Sequence, residues 1–527
     1  TWASDKYNYP LQVANISLTS SETINLPNRI FKHNVLNLEC GEAIEIVNPA
    51  NGELLDLEIP SFGAISSNLP FIPFEIIKDD DLRLIDEIIE EVKNNAGVNL
   101  SRRSDLYCFI IFALYKLIED DGRIGVITSN SWLGTSWGKK FFKALNKYFE
   151  VNQIHISGNK RWFDNAQIVT VILVLTKKAE IVSPENNTLM SFYKWNKSLS
   201  QIENESEFFD IIVRSSLLDR ELNSNVIELS RYTYQQIIDL QNLNISLNAL
   251  FHNVMWLLDI KEKLIPLNKV FTVFRGERRG WDGMFYPAGG HGIEPIFIKR
   301  VLKNARRVTS LFAEADNDAF CCSFSKEELI QQDLTGALNW IERFENGVNG
   351  TGRPLTEVLR RSNMYWYEMK DTATADICTT MNPDQRLFFA KFDEPTFINQ
   401  RLIGLKQKSN YQDIELYHAL LNSIIGMFYI EAIGFGRGLG ELDINNTTLK
   451  NAFMLDPNQV SNENRLEILN KFAIMANRDI MNTMQEIEQV DRVEFDIAVL
   501  RAFDIEDIYP DIKNSLIYMQ KARLSVR

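Results

Sequence analysis

The sequence predicts an α/β protein whose N-terminal part has a mostly parallel sheet, followed by a mixed α+β domain and a helical tail. Within residues 1–180, short apolar runs alternate with amphipathic helical patterns, the order that gives parallel sheets. Residues 261–460 are richer in glycine, arginine and aromatic residues and lose that alternation. From Asn462 onward, apolar residues recur at helical spacing. We therefore expect four segments: 1–180, a helical connector 181–260, 261–460, and a helical segment 461–527.

The elements of the first segment follow from local patterns. Strands are expected near Trp2–Ser4, Ala64–Ile65, Ile124–Thr128, Ile154–Ile156 and Val169–Leu175. The last run is almost entirely apolar and rich in β-branched residues, as in strands buried on both faces. Helices are expected over Asp81–Asn95, which Gly97 ends, over Asp105–Asp120, and around Ser230–Val254. Ligands of such sheets bind at the carboxyl ends of the strands, so we expect the chemistry there.

Composition excludes several classes of protein. Of the 527 residues, 45% are hydrophobic and 11% aromatic, which suffices for more than one buried core. The sequence shows neither an apolar run of membrane-spanning length nor a signal peptide, so a bacterial cytoplasmic protein is expected. The five cysteines and five histidines are scattered without metal-ligand spacing, so no metal centre is expected.

Charge is distributed unevenly along the chain. The net charge of −14 argues against a protein that coats nucleic acid indiscriminately. Basic residues nevertheless concentrate in the middle, which indicates a local nucleic-acid surface, although a solvated charged face explains the same pattern. These residues are Arg275, Arg278, Arg279, Lys299, Arg300, Lys303, Arg306 and Arg307.

The sharpest motif is Asn68-Leu69-Pro70-Phe71, directly after a short apolar strand. It resembles the Asn-Pro-Pro-Tyr/Phe signature of the amino-methyltransferases, which transfer a methyl group from S-adenosylmethionine to an exocyclic amine. The resemblance implies that the Asn68 side chain and the Leu69 carbonyl hold the two amine hydrogens while Phe71 stacks on the flipped base. Leu69 replaces the usual proline, which keeps the carbonyl but loses the restraint on φ. Taken alone, the string also fits an ordinary strand-ending turn.

Three further stretches extend the resemblance in the same order along the chain. They are Asp105-Leu106-Tyr107, Thr128–Leu133 and Phe163–Lys178. Together with the motif they resemble adenine-N6 DNA methyltransferases of restriction-modification systems, in particular the type IIG and large adenine-specific enzymes. The resemblance implies a Rossmann-like methyltransferase domain over residues 1–180 and a target-recognition domain over 261–460.

The resemblance also names cofactor-binding candidates. Asp5 follows a strand whose terminal carboxylate binds the cofactor ribose in the family, Asn34 lies where a third strand contacts the adenine ring, and Asp105 borders the methionine moiety. A helix cap explains Asp5 equally simply. The family places a further strand and a Gly-rich loop before the position of Asp5, and the printed sequence has neither. We therefore expect an N-terminally incomplete methyltransferase domain.

The recognition half contains the DNA-binding candidates. Phe274–Trp281 combines arginines, glycines and an aromatic residue, and resembles the opening of such domains. Lys299–Arg307 is expected to be a basic helix face or loop along phosphates. The Gly-rich run Gly434–Gly440 follows a helical pattern, so it is not a dinucleotide loop, and Arg437 either contacts DNA or belongs to a structural loop. Tyr365-Trp366-Tyr367 fits core packing better than base stacking.

The sequence thus predicts a sequence-specific adenine-N6 DNA methyltransferase that uses S-adenosylmethionine in restriction-modification or phage defence. Its expected partners are double-stranded DNA and a nuclease or helicase domain or subunit, without a membrane. Two alternatives stay open at this point: the recognition and modification part of a larger type IIG restriction enzyme, and a catalytically degenerate DNA-binding specificity module.

Overall fold

The computed structural model describes residues 2–18, 29–47, 51–163, 168–197, 201, 222–223, 226–436 and 440–526. Two mixed sheets, one of seven strands and one of six, organise this part of the chain, and four two-stranded sheets accompany them. The result is a mixed α/β fold.

Among the residues up to 260 that the structure describes there are eleven strands and seven α-helices. The strands are β1 (Trp2–Asp5), β2 (Arg29–Lys32), β3 (Ala43–Val47), β4 (Leu54–Glu58), β5 (Phe62–Asn68), β6 (Ile118–Ser129), β7 (Phe149–Ser157), β8 (Thr170–Lys177), β9 (Leu189–Trp195), β10 (Leu222–Asn223) and β11 (Ile227–Thr233). The helices are α1 (Asn8–Leu18), α2 (Asp79–Ala96), α3 (Leu106–Leu114), α4 (Ser131–Gly134), α5 (Ser136–Tyr148), α6 (Tyr234–Asn242) and α7 (Trp256–Asp259).

The seven-stranded sheet is not mostly parallel, and that expectation was wrong. Its order is β10-β11-β9-β7-β8-β6-β5, and only the pairs β5–β6 and β7–β9 are parallel. The parallel direction is interrupted by β8, which runs antiparallel to both of its neighbours, β6 and β7. Its Leu173 lies opposite Val126 of β6 and Ile154 of β7. The β-branched run does form the expected buried strand, because both edges of β8 are paired and alternate side chains are fully buried.

The polar cluster around Asn34 replaces an expected strand. The strand lies earlier, at β2, which pairs in parallel with β1. Asn34 instead begins a 3₁₀ turn over Val35–Asn37 because its side-chain oxygen accepts a hydrogen bond from the Leu36 N–H at 3.2 Å. The Asn34 amide donates to the buried carboxylate of Asp81 at 2.8 Å. Asn34 therefore follows a strand end but serves as a cap.

Of two helices predicted from the sequence, one has nearly the expected bounds in the structure and the other is shorter. The α2 helix matches the prediction, with three aspartates in its first turn and Gly97 in the left-handed conformation at its end. The helix expected to extend to Asp120 ends at Leu114, because residues from Ile118 onward pair with β5. The expected turn at Asp121-Gly122 lies inside β6 as an irregularity, with Asp121 at φ 62°.

The connector 181–260 is only partly helical. Its strands β9 and β11 pair with one another, and β9 pairs with β7, so this segment extends the seven-stranded sheet. The helix expected around Ser230 begins at Tyr234, where Thr233 caps it through a reciprocal capping box with Gln236. The boundaries proposed for the four segments remain predictions.

Residues 261–460, the predicted recognition half, contain a six-stranded mixed sheet of order β13-β18-β16-β17-β14-β15. The strands of this half are β12 (Leu264–Pro266), β13 (Phe271–Arg275), β14 (Ile298–Leu302), β15 (Asn317–Phe320), β16 (Thr374–Thr380), β17 (Ala390–Ile398), β18 (Leu402–Gln407), β19 (Phe435–Gly436), β20 (Leu442–Asp443) and β21 (Phe453–Leu455). Its helices are α8 (Leu267–Val270), α9 (Asp282–Phe285), α10 (Lys326–Gln331), α11 (Thr335–Glu345), α12 (Leu355–Val358), α13 (Ile414–Leu421), α14 (Ile424–Ile433) and α15 (Asn446–Lys450).

The tail is helical, as expected. It consists of α16 (Asn462–Ala476), α17 (Thr483–Glu486), α18 (Val490–Arg501) and α19 (Tyr509–Leu524). One continuous apolar core runs from the methyltransferase half through α13 and α14 to α18 and α19, and a second core fills the outer part of the recognition half around Phe297 and Trp340.

The described ranges contain neither a single membrane-spanning helix nor a cluster of metal ligands. No single helix there is long and apolar enough to cross a membrane, and α13 with α14, bent by 61°, meets the length and composition criterion only as a pair. No group of three or more potential metal ligands occurs within the same ranges.

Candidate active site and DNA interface

The Asn68–Phe71 motif lies at the carboxyl end of β5, beside the neighbouring end of β6. Asn68 is exposed, and its Cα lies opposite that of Ile127 in the parallel pair. Leu69 is buried, with 4% of its surface exposed, and its N–H donates to the Ile127 carbonyl at 3.2 Å. A proline has no N–H and cannot make that bond. Leu69 therefore lacks the restraint that a proline ring places on φ, but it adds one hydrogen bond to the β5–β6 pair. This hydrogen bond holds the backbone of the motif in place.

The Asp105 carboxylate belongs to a hydroxyl network next to this motif. Ser131 donates to Asp105 Oδ2 at 2.6 Å and Ser129 donates to the same oxygen at 3.3 Å. The Tyr107 hydroxyl lies 3.1 Å from the Ser129 hydroxyl and 2.9 Å from that of Ser131. Burial raises the pKa of the Asp105 carboxyl, and the hydrogen bond from Ser131 is the strongest effect opposing that rise.

The network is joined to the motif through the backbone. The Leu106 N–H, at the start of α3, donates to the Ile72 carbonyl at 2.9 Å, one residue beyond Phe71. Asp105 and Asn68 are thus on segments that touch. Ser129 and Ser131 had no predicted role, although both lie in the stretch Thr128–Leu133 that carries part of the resemblance. The only signal was a pair of hydroxyls at a strand end.

The other two cofactor candidates lie at the ends of the parallel pair β1–β2. Asp5 Oδ1 accepts from the Tyr7 N–H at 2.7 Å just before α1. This oxygen is therefore engaged at the start of the helix, as the alternative of a helix cap predicts. Its Oδ2 has no hydrogen-bond partner among the residues that the structure describes. Asn34 is committed to Leu36 and Asp81, and Asp81 also pairs with Lys6 at 2.7 Å. Asp5 therefore keeps a free acceptor, whereas Asn34 would have to exchange partners to bind a ligand.

The first half of the basic stretch Lys299–Arg307 is a strand, which corrects the expectation of a helix face or loop there, whereas Lys303–Arg307 form an irregular link and a turn. The stretch runs along β14 into a 3₁₀ turn over Ala305–Arg307. Most of its cations pair with carboxylates of the same domain, so their charge is partly neutralised. The pairs are Lys299–Asp371 at 3.3 Å, Arg300–Asp318 at 2.8 Å, Lys303–Asp282 at 2.9 Å and Arg307–Asp316 at 3.7 Å.

The three arginines of the first basic motif have different surroundings. Arg275 and Arg278 are exposed, and Arg275 Nε donates to the Gln400 carbonyl at 2.8 Å. Arg279 is 4% exposed and donates to two backbone carbonyls, those of Leu359 at 3.1 Å and Trp366 at 2.5 Å. Burial lowers the pKa of Arg279 to about 10. Its guanidinium therefore stabilises the domain interior and does not reach the surface, which corrects its assignment as a direct DNA contact.

Gly434–Gly436, the described beginning of the Gly-rich run, contacts the N-terminal part of the chain. These residues follow α14, as expected for a segment that is not a dinucleotide loop. The Asn130 amide donates to the Gly436 carbonyl at 3.3 Å, so Gly436 lies beside the carboxyl end of β6. Arg437 lies outside the described residues. Of the aromatic cluster, Tyr367 is buried and stacks at 5.3 Å on Tyr365, which is 43% exposed.

The N-terminal part of the chain is similar to methylases of restriction-modification systems. Residues 5–163 match the family described as Eco57I restriction-modification methylase, which confirms the predicted resemblance. The type IIL restriction-modification enzyme MmeI, solved in complex with DNA, is 11% identical, with a TM-score of 0.52 over 94% of this chain and 60% of that one. This likeness supports the fold.

Two further solved structures are similar at lower TM-scores. The type IIG restriction endonuclease BpuSI is 12% identical, with a TM-score of 0.41 over 99% of this chain and 59% of that one. The type I methyltransferase subunit from Streptococcus thermophilus is 13% identical, with a TM-score of 0.32 over 46% of each chain. The chain spans about three fifths of the length of MmeI and BpuSI.

Proposed function

We propose that this chain is a sequence-specific DNA methyltransferase that transfers the methyl group of S-adenosylmethionine to N6 of adenine. The observation that carries the proposal is the exposed Asn68 at the carboxyl end of β5, on a backbone fixed by the Leu69–Ile127 hydrogen bond. The family match over residues 5–163 supports the same class of reaction. The biological setting is restriction-modification or phage defence.

The proposed chemistry follows from the nature of the amine. The lone pair of adenine N6 is conjugated with the ring and is a poor nucleophile. Asn68 Oδ1 and the Leu69 carbonyl accept the two amine hydrogens, which favours a pyramidal nitrogen and directs its lone pair outward. Phe71, half-buried after Pro70, provides a stacking surface for the flipped base. The bound cofactor supplies the electrophilic methyl group.

The residues at the strand ends fit the cofactor in part. Asp5 keeps Oδ2 as an acceptor for ribose hydroxyls, and the Asp105 network lies next to the motif, where the methyl donor must approach. Asn34 fits less well because Asp81 and Leu36 occupy its side chain. We therefore assign cofactor binding to Asp5 and Asp105 first, and to Asn34 only after an exchange of partners.

The proposed nucleic-acid partner is duplex DNA, held mainly by the recognition half. A net charge of −14 requires that the contact be local. Arg275, Arg278 and Arg306 are its exposed candidates. Lys299, Arg300 and Arg307 are exposed as well, but each also pairs with a carboxylate, which weakens its attraction for a phosphate.

The test is methyl transfer from labelled S-adenosylmethionine to mixed-sequence duplex DNA, with N6-methyladenine as the readout. Asn68→Ala should lower the rate about 100-fold or more, the cost of removing one transition-state hydrogen-bonding group. Asn94→Ala, an exposed asparagine on α2, is the matched control and should leave the rate unchanged. Equal rates for Asn68→Ala and wild type would refute the assignment.

A second candidate is a degenerate DNA-binding specificity module, which the replacement of proline by Leu69 favours. It predicts DNA and cofactor binding without transfer. Failure of cofactor binding by an otherwise folded chain would instead direct attention to the part of the cofactor site that the resemblance places before Asp5. The proposed chemistry applies equally if the chain is the modification and recognition part of a larger type IIG restriction enzyme.

A further inference from the structure

An open cleft of about 610 Å³ lies where the six-stranded sheet, the turn before β20 and the helical tail meet. One wall is the segment Thr380–Arg386, which leaves β16 and leads toward β17. Arg306 lines the cleft from the end of the basic stretch, Glu441 from the turn, and Asn482 from the tail. The cleft is thus built by parts of the chain that are far apart in sequence.

The backbone of this wall is held in place from outside the sheet. The Gln385 carbonyl accepts from the N–H of Thr483 at 2.7 Å and from its hydroxyl at 2.8 Å. The Asp384 carbonyl accepts from Arg523 at 2.8 Å, and the Met381 N–H donates to the Arg401 carbonyl at 3.1 Å. A segment fixed through its backbone presents its side chains with little loss of entropy on binding.

The side chains of the wall are those that recognise the edges of base pairs. Asn382 and Asp384 are exposed, and the Asn382 amide donates to Asp443 Oδ1 at 3.1 Å. Gln385 is half-buried with no side-chain hydrogen bond to the described residues. Carboxamides bind the adenine edge through two hydrogen bonds. Gln385 is therefore the side chain of the segment whose carboxamide is available to a base edge.

The charge of the cleft argues against a phosphate-binding groove. Arg306 and Arg386 are opposed by Asp384 and Glu441 among the lining residues. Arg386 is moreover committed to the scaffold, since it donates to the Val308 carbonyl at 2.8 Å and lies over the Phe388 ring. Carboxylates repel phosphates, so a lining with two cations and two carboxylates suits base edges better than the DNA backbone.

We infer that the segment Thr380–Arg386 reads the target sequence, with Gln385 as its specificity-determining residue. The inference rests on the proposed function, because it assumes a duplex DNA ligand. It assigns sequence reading to this segment and not to the basic stretch along β14, whose cations are largely paired within the domain.

The test is selection of bound duplexes from a randomised DNA library by the full chain, followed by competition between the selected and a scrambled duplex. We expect Gln385→Ala to lower the preference for the selected duplex about 10-fold and to relax one base-pair position, with unchanged affinity and salt dependence for scrambled DNA. Gln331→Ala, an exposed glutamine at the end of α10, is the matched control and should select the wild-type sequence.

The Gln385→Glu variant distinguishes a change in base recognition from misfolding of the protein. It keeps the size of the side chain but replaces its donor with an acceptor, so we expect a different base at one position, which a misfolded protein cannot produce. Selection of the wild-type sequence with the wild-type preference by both Gln385 variants would overturn the inference while leaving the proposed function intact. A wild-type chain that binds DNA without any preference would overturn this inference, and one that binds no DNA would remove the proposed DNA partner as well.

Discussion

The ion pair between Arg523 and Glu431 should be worth far more to stability than an exposed pair of the same tail. Arg523 Nε donates to Glu431 Oε1 at 2.6 Å and Nη2 to Oε2 at 3.0 Å, and only 4% and 3% of the two side chains are exposed. The same guanidinium donates to the carbonyls of Gly440 at 2.7 Å and Asp384 at 2.8 Å. It therefore joins α19, α14, the turn before β20 and the recognition half.

Replacing Arg523 by Met leaves the Glu431 carboxylate buried without its partner. Breaking such a pair from one side costs about 3–5 kcal/mol. The pair Lys471–Glu494 joins α16 to α18 at 2.8 Å with 36% and 51% of its side chains exposed, and a pair of that kind contributes at most about 1 kcal/mol. Lys471→Met is thus the matched control. The double variant Glu431→Leu/Arg523→Met should recover part of the loss, because it removes the unpaired charge.

Urea unfolding followed by tryptophan fluorescence provides the assay. Trp256, one of the nine tryptophans that contribute to this signal, contacts the tail, since its indole N–H donates to the Ser515 hydroxyl on α19 at 3.1 Å. We expect Arg523→Met to lower the unfolding midpoint of that signal several times more than Lys471→Met does. Equal shifts for the two variants would refute the reasoning, since buried and exposed pairs would then contribute alike.

Two further predictions concern stability. Burial lowers the pKa of His418 to about 3, so stability is fully present above the unfolded-state pKa of about 6.5 and is lost as pH falls toward 3, by about 2 kcal/mol between pH 6.5 and 5. His418→Leu should therefore show a smaller fall in thermal unfolding temperature between pH 7 and pH 5, and identical slopes for variant and wild type would contradict this. Gly426→Ala should destabilise the chain by at least about 3 kcal/mol, because its Cβ would lie 1.8 Å from the Leu421 carbonyl oxygen. Gly125→Ala has no atom within 4 Å of the new Cβ and should unfold near the wild-type temperature.

Local patterns predicted the elements whose causes are local. The α2 helix was predictable because its apolar face, acidic first turn and Gly97 all act within a few turns of one another. The buried strand β8 was predictable from its apolar, β-branched run, and the motif Asn68–Phe71 does lie at a strand end. In each case the sequence signal and the structural consequence involve neighbouring residues.

The direction of the strands was not predictable by the same means. Alternation of strands and helices favours parallel pairing, but no helical pattern was recognised between Ile156 and Val169, so the sequence contained no helical crossover that would require β7 and β8 to be parallel. That missing helix was the available signal for an antiparallel strand. The order of the sheet depends on contacts between distant segments, which periodicity does not encode.

The charges of the recognition half mislead for a related reason. Lys299 and Asp371 are 72 positions apart, and Arg279 reaches carbonyls 80 and 87 positions away, so a basic run in sequence becomes a set of internal pairs and a buried cation. Conversely, Thr380–Arg386 has no conspicuous charge, yet distant tail residues fix its backbone beside an open cleft. In a chain with an excess of carboxylates, the cations of a basic stretch form ion pairs within the protein as readily as they bind a ligand. We therefore infer sequence reading from Gln385, a polar side chain with no hydrogen bond to the described residues, and not from the stretch where positive charge is densest.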